Sequence, residues 1–140
     1  MRLGADDRLQ VCLVTSRTTQ RWVIPKGWPM RGLTDDDAAA QEAHEEAGVR
    51  GKVMPTPIGH YGYWRRAKSD FRHTKVLTFV LRVKKQSENW KEAGERLQCW
   101  LGVLDAADRV QDPELSSLIV RLPDNRKACR FIFKKKPWLF

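Results

Sequence analysis

Between Gly27 and Val49 the chain reads GWPMRGLTDDDAAAQEAHEEAGV, a run that sets three glutamates, Glu42, Glu45 and Glu46, within five residues of a helix-forming segment. Spacings of three and four residues bring side chains onto one helix face. Carboxylates crowded there repel one another unless a cation sits among them. A hard divalent ion such as magnesium, which takes oxygen ligands, suits the place. A solvated acidic helix face is the simpler use of such a cluster, so the flanking residues decide.

Those residues specify a helix over 35–47. Thr34 is a candidate N-cap, with Asp37 three residues on to complete a capping box. Asp35, Asp36 and Asp37 fall in the first turn, where the helix dipole favours negative charge. Ala39, Ala40, Ala43 and Ala47 share one arc and form a small-residue face able to lie close against a sheet. Glu42 and Glu46 border that arc, and Gly48 suits the C-terminal cap. Upstream, Arg21 to Ile24 reads as a short strand ended by Pro25, followed by a loop through Pro29.

This strand, loop and helix resemble the signature of the Nudix hydrolases. That signature runs Gly, five residues, Glu, seven residues, Arg-Glu, an apolar residue, any residue, Glu-Glu, any residue, Gly, apolar. Gly27, Glu42, Ala43, Glu45, Glu46, Gly48 and Val49 fall on its positions across 23 residues without insertion or deletion. Leu33 stands where the family has its first Glu, and Gln41 where it has Arg. Leu33 is placed to staple weakly against Ala38, and Asp35 or Asp36 can stand in for the absent Glu. Gln41 lacks the charge of Arg but can hydrogen-bond Glu45 one turn on.

The resemblance implies an α/β/α sandwich with a mixed central sheet. It also implies hydrolysis of a phosphoanhydride bond with Mg2+, or Mn2+, as cofactor. Glu45 and Glu46 would be metal ligands, Glu42 a further ligand or the group orienting water, and the Lys26 carbonyl would complete the shell. A later carboxylate, Glu92 or Glu95, is the fourth candidate. Lys26, Gly27, Trp28, Arg17 and Arg65 form the expected substrate-binding set. The run Trp22 to Gly27 looks like members that cleave diadenosine polyphosphates. Pro25-Lys26-Gly27-Trp28 in a basic surround resembles the diphosphoinositol polyphosphate phosphohydrolase branch. Trp28 is either a stacking surface for adenine or a loop aromatic covering the core.

A net charge of +9 leans towards the denser polyanion and favours anionic partners generally. Nucleic acid is the usual inference from such a balance, yet no nucleic-acid motif accompanies it, and a polyphosphorylated small molecule uses the same field. Two other classes stay open. An RNA-binding or RNA-end-processing protein would stack bases on Tyr61, Tyr63 and Trp64. A catalytically impaired binding domain is motivated by Leu33 and Gln41. At 140 residues the chain is expected to be one domain, 1–140, with a basic tail over about 124–140. No apolar run is long enough to span a membrane, and the first residues lack the apolar region of a signal peptide. Three scattered cysteines without metal spacing fit a reducing cytoplasm as the expected location.

Elsewhere, strands are expected over 9–16, 57–65, 76–83 and 95–103, with 65–72 a basic hairpin loop. Helices are expected over 104–110 and 114–122, the latter opened by Pro113. Only eight residues precede the strand at Leu9, where the family normally has another. Either the chain is short there, or a segment such as 129–133 replaces that strand.

Overall fold

A computed structural model describes residues 1–4 and 6–133. The central strand is β2 (Leu9–Thr15). Along one of its edges lie β1 (Arg2–Leu3) and β3 (Trp22–Val23), and along the other β8 (Gln98–Gly102), all antiparallel to it. Alternation along β2 divides the core in two. Val11 and Leu13 point into a cluster with Ala106, Leu115, Ile119 and Ile132. Cys12 and Val14 point the other way, against Ala43 and Ala47.

The first side is covered by α2 (Val103–Arg109), α3 (Pro113–Val120) and α4 (Arg126–Ile132), the second by α1 (Asp35–Ala47). The result is a sheet flanked by helices, the expected α/β/α sandwich. Two further antiparallel ladders pair β4 (Val49–Val53) with β7 (Leu81–Gln86) and β5 (Gly59–Arg66) with β6 (Phe71–Thr78). Burial raises the thiols of Cys12, Cys99 and Cys129 alike, as for packing residues rather than nucleophiles.

Helix α1 has the limits its sequence predicts, with Gly48 in the left-handed conformation at φ 67°. Its N-terminus differs from expectation. Thr34 makes no side-chain cap bond, and Leu33 is 45% exposed, so neither capping box nor staple forms. The acidic first turn is left to favour that end through the dipole. Of the expected alanine face Ala43 and Ala47 are buried and Ala39 and Ala40 half-buried, while Ala38 joins the buried alanines.

Other differences follow from tertiary pairing. The strand expected over 76–83 is two strands, interrupted at Phe79 and Val80, because Val80 accepts from Met54 while Thr78 accepts from Ile58. The hairpin loop is shorter than 65–72; the strands run on to Arg66 and resume at Phe71, and Ala67 N–H donates to the Asp70 carbonyl at 2.8 Å. The strand before Leu9 is present as β1. Residues 129–133 do not replace it: most of them belong to α4, whose Asn125 cap accepts from the Ala128 N–H at 3.0 Å. The part of the basic tail from 134 onward lies outside the described residues.

The C-terminal end of α1 is held by side chains from distant segments. The Trp90 indole donates to the Glu46 carbonyl at 3.0 Å, and Gln86 and Gln98 amides donate to the Ala47 carbonyl. These satisfy acceptors a helix end otherwise leaves to water. A Cβ on Gly48 would run into the Trp90 ring. Gly48→Ala therefore meets both left-handed strain of about 1–2 kcal/mol and displacement of Trp90. Thermal unfolding should show a Tm several degrees lower; an unchanged Tm would dissociate Trp90 from the stability of this helix end.

Candidate functional site

The glutamates of α1 look across at the loop after β3. Glu46 is 5% exposed. Its carboxylate accepts from the Lys26 backbone N–H at 3.3 Å and from the Arg96 guanidinium at 3.3 Å. Desolvation pushes its pKa up to about 7; Arg96 and the Lys26 N–H oppose the rise, while Glu42 and Glu92 add to it. Glu42 is also raised, first by desolvation and then by Glu45 and Glu92. Its side chain lies so close over Gly27 that a Cβ there would collide with the carboxylate. Glu45 accepts from Gln41 at 3.2 Å, as the one-turn spacing predicts, and faces Lys91 at 3.7 Å.

Arg96 is the residue that sequence reasoning missed. It contacts Glu92 at 3.1 Å and Glu46 at 3.3 Å, and donates to the Thr15 carbonyl at 3.0 Å. The i,i+4 spacing of Glu92 and Arg96 was the available signal. Of the two later carboxylates, Glu92 is buried and its N–H donates to the Glu45 carbonyl at 3.1 Å. Glu95 is exposed and pairs with Arg17 at 3.6 Å. Arg17 also reaches Glu92 at 3.6 Å, which sets it at the rim of the carboxylates.

Lys26, Gly27 and Trp28 line a cavity of about 600 Å³ together with Glu42, Tyr63 and Lys75. The Lys26 ammonium lies 5.0 Å from the Tyr63 ring centre, and Arg65 stacks 5.1 Å from the Trp28 ring. Burial lowers the Lys26 pKa, with Glu46 partly restoring it. The structure thus brings Lys26, Gly27, Trp28 and Glu42 to one cavity and stacks Arg65 on Trp28, while Glu45, Glu46 and Arg17 are not among the residues that line it.

The donor chemistry fits a hard divalent cation. The set offers oxygen atoms only, and desolvation, with smaller contributions from neighbouring carboxylates, raises the pKa of Glu42 and Glu46. Among the described residues, however, no three acidic, histidine or cysteine side chains converge as a ready-made cage. Glu45 and Glu46 point to protein cations instead.

A NUDIX domain model matches residues 3–121. Among curated proteins the chain is similar to Nudix hydrolase 16, mitochondrial, of Arabidopsis thaliana: 30% identical over 116 residues, 80% of this chain and 64% of that protein. It is 33% identical to Nudix hydrolase 13, mitochondrial, of the same plant, over 74% of this chain and 54% of that one. It is 32% identical to diphosphoinositol polyphosphate phosphohydrolase 3-alpha of Mus musculus, over 73% and 60%. The chain therefore spans roughly half to somewhat under two thirds of the length of these relatives. A solved binary complex of a C. elegans Ap4A hydrolase shares the fold, with TM-score 0.60 and 20% identity over 84% of this chain and 86% of that one. The cytoplasmic expectation is overturned, because the plant relatives 12, 13, 16, 17 and 18 are named as mitochondrial proteins.

Two measurements test this geometry. Glu46 is raised from 4.5 to about 7, so the folded state holds its proton where the unfolded state has lost it. Its contribution is fully present below about pH 4.5 and disappears as pH rises through 7. At 1.36 kcal/mol per unit this amounts to about 3 kcal/mol. In chelator-treated protein, Glu46→Gln should remove that dependence, read as the difference in denaturant-unfolding free energy between pH 4.5 and 8. Parallel pH profiles for both proteins would contradict the assignment. Gly27→Ala should push aside only the flexible end of Glu42. Unfolding, read by denaturant titration, should then shift by less than about 1 kcal/mol; a larger loss would show that the loop backbone rather than Glu42 gives way.

Proposed function

The chain belongs to the Nudix family, and on that premise we propose that it is a metal-dependent hydrolase of phosphoanhydride bonds in a polyphosphorylated small molecule. The observation that carries this reading is the Glu42, Glu45 and Glu46 edge of α1 set against the Lys26–Gly27 loop, beside a cavity rimmed by cations. Glu42, Glu45, Glu46 and the Lys26 carbonyl would hold Mg2+ or Mn2+, with Glu92 the nearest additional carboxylate. When bound, the ion neutralises phosphoryl oxygens and makes the attacking water more acidic.

The protein's own groups do the remaining work. Glu42, raised by burial and by its acidic neighbours, is the group placed to orient water and take its proton. Lys26 puts a point charge on phosphate at the cavity mouth, and Arg65 adds a planar donor held against Trp28. Arg17 extends the cationic rim. This arrangement positions a polyanion and lowers the cost of charge developing at phosphorus.

Two substrate classes have support. The mouse relative is named for diphosphoinositol polyphosphates, and the cationic rim suits so dense a polyanion. A diadenosine polyphosphate would use Trp28, which is 60% exposed and has one face covered by Arg65, to stack adenine. The domain reading is a single hydrolase unit over 1–140, its basic end included.

Phosphate release from diphosphoinositol pentakisphosphate, diadenosine tetraphosphate and ADP-ribose, with magnesium and with manganese, tests the reading. Turnover on at least one should fall by 100-fold or more in Glu46→Gln. Trp28→Ala should raise KM for the dinucleotide several-fold and leave the inositol substrate nearly unchanged. Tight binding of any of these without turnover, in folded protein, would replace the hydrolase by a binding domain.

A further inference from the structure

The β5–β6 hairpin has two faces of different character. Its strands pair without a bulge from Gly59 opposite Thr78 to Arg66 opposite Phe71, so alternate residues share a face. One face turns inward: Tyr61 is fully buried, Tyr63 lies under Lys26 and Arg65 stacks on Trp28. Tyr61 and Tyr63 therefore cannot be base-stacking groups in the way the aromatic run suggests. The other face carries His60, Trp64 and Arg66 from β5 and Phe71, His73, Lys75 and Leu77 from β6, all exposed.

On that outer face Trp64 is 67% and Phe71 65% exposed, an unusual cost for two large rings in water. Trp64 meets His73 edge-on at 5.2 Å. The His73 ring lies across Gly62, where a Cβ would strike it, so the glycine keeps this surface level. Between residues 59 and 78 there are five lysines and arginines and one carboxylate, Asp70. Asp70 is engaged by Arg72 at 3.7 Å. A nearby acid from α3, Glu114, is engaged by the Gly62 N–H at 2.7 Å.

We propose that this outer face is a binding platform for single-stranded nucleic acid. Trp64 sits opposite His73, two residues from Phe71, so Trp64 and Phe71 are diagonal neighbours on one face, their backbones about 7–8 Å apart. Both rings are open to a flexible strand laid along the hairpin. Arg66 and Lys75, beside the rings, and Lys68, at the hairpin turn, take the phosphates. Aromatic surfaces interleaved with cations are the recurrent means of holding such a strand. A protein-binding core is instead depleted of charge. The rings of the platform stand on the face of the hairpin opposite Tyr61 and Tyr63, while Lys75 is shared with the wall of the cavity described above.

The test is fluorescence anisotropy with the full chain and labelled 12-nucleotide single-stranded RNA, single-stranded DNA and duplex DNA, over a range of KCl concentrations. A single strand should bind at least tenfold tighter than the duplex, and the RNA and DNA arms identify which kind is preferred. Trp64→Ala and Phe71→Ala should each weaken binding by about fivefold to a hundredfold. Arg66→Ala and Lys75→Ala should each reduce the slope of log affinity against log salt by about 0.7. Circular dichroism confirms that these surface variants fold. Absence of binding at low salt overturns the proposal. So does equal binding of duplex, single strand and inorganic polyphosphate with the aromatic variants unaffected, which would be attraction to net charge alone. Concentration-dependent dimerisation lost in Trp64→Ala would assign the face to a second copy. Binding to phosphatidylserine vesicles but not to oligonucleotides would assign it to a membrane surface.

Discussion

The guanidinium of Arg96 gathers three parts of the chain that have no local reason to meet. It holds the last carbonyl of β2, the Glu92 carboxylate on its own segment and the Glu46 carboxylate on α1. Arg96 and both carboxylates are almost wholly out of water, where an ion left without a partner costs several kcal/mol. Each group is tolerable there because of the others. The position of the motif helix over the sheet and the geometry of the candidate site are thus one constraint. A fold that misplaced α1 would strand a buried charge.

The helix is fixed at its other atoms by equally distant partners. Trp90, Gln86 and Gln98 close on its final carbonyls, while its alanines rest on Cys12, Val14 and Val49. The small side chains bring the helix close to the sheet, and that closeness lets Glu42 reach the Gly27 backbone. Packing and site chemistry are linked through the absence of bulk at Ala43, Ala47 and Gly27. Larger residues there would separate the carboxylates from the loop they face.

The sequence made legible whatever is settled within a few residues. The limits of α1 follow from a glycine cap and an alanine arc, and the loop at Lys26 follows from its flanking prolines and glycine. What stayed hidden depends on partners far along the chain. Phe79 and Val80 continue an apolar β pattern, yet hydrogen bonding to Met54 and Ile58 divides the strand there. β4, VRGKV, is short and bears Gly51, whose bare backbone lies against the Arg82 carbonyl. α4 was masked by its basic composition, which reads as a tail until Arg82 is seen donating to the Phe131 carbonyl at 3.0 Å. In the site, the glutamates were visible as a local cluster, but Arg96 lies fifty residues from its partner Glu46.

Gln41 leaves the motif helix without its customary cation, and Arg96 brings one to the same acidic edge from the loop before β8. A consensus pattern records the usual address of a charge, whereas a buried carboxylate responds only to the potential around it. Here that potential is set by position 96, a residue that the linear motif does not contain. A search that scores the linear motif alone records the missing charge at position 41 and is blind to the one that the fold delivers from position 96.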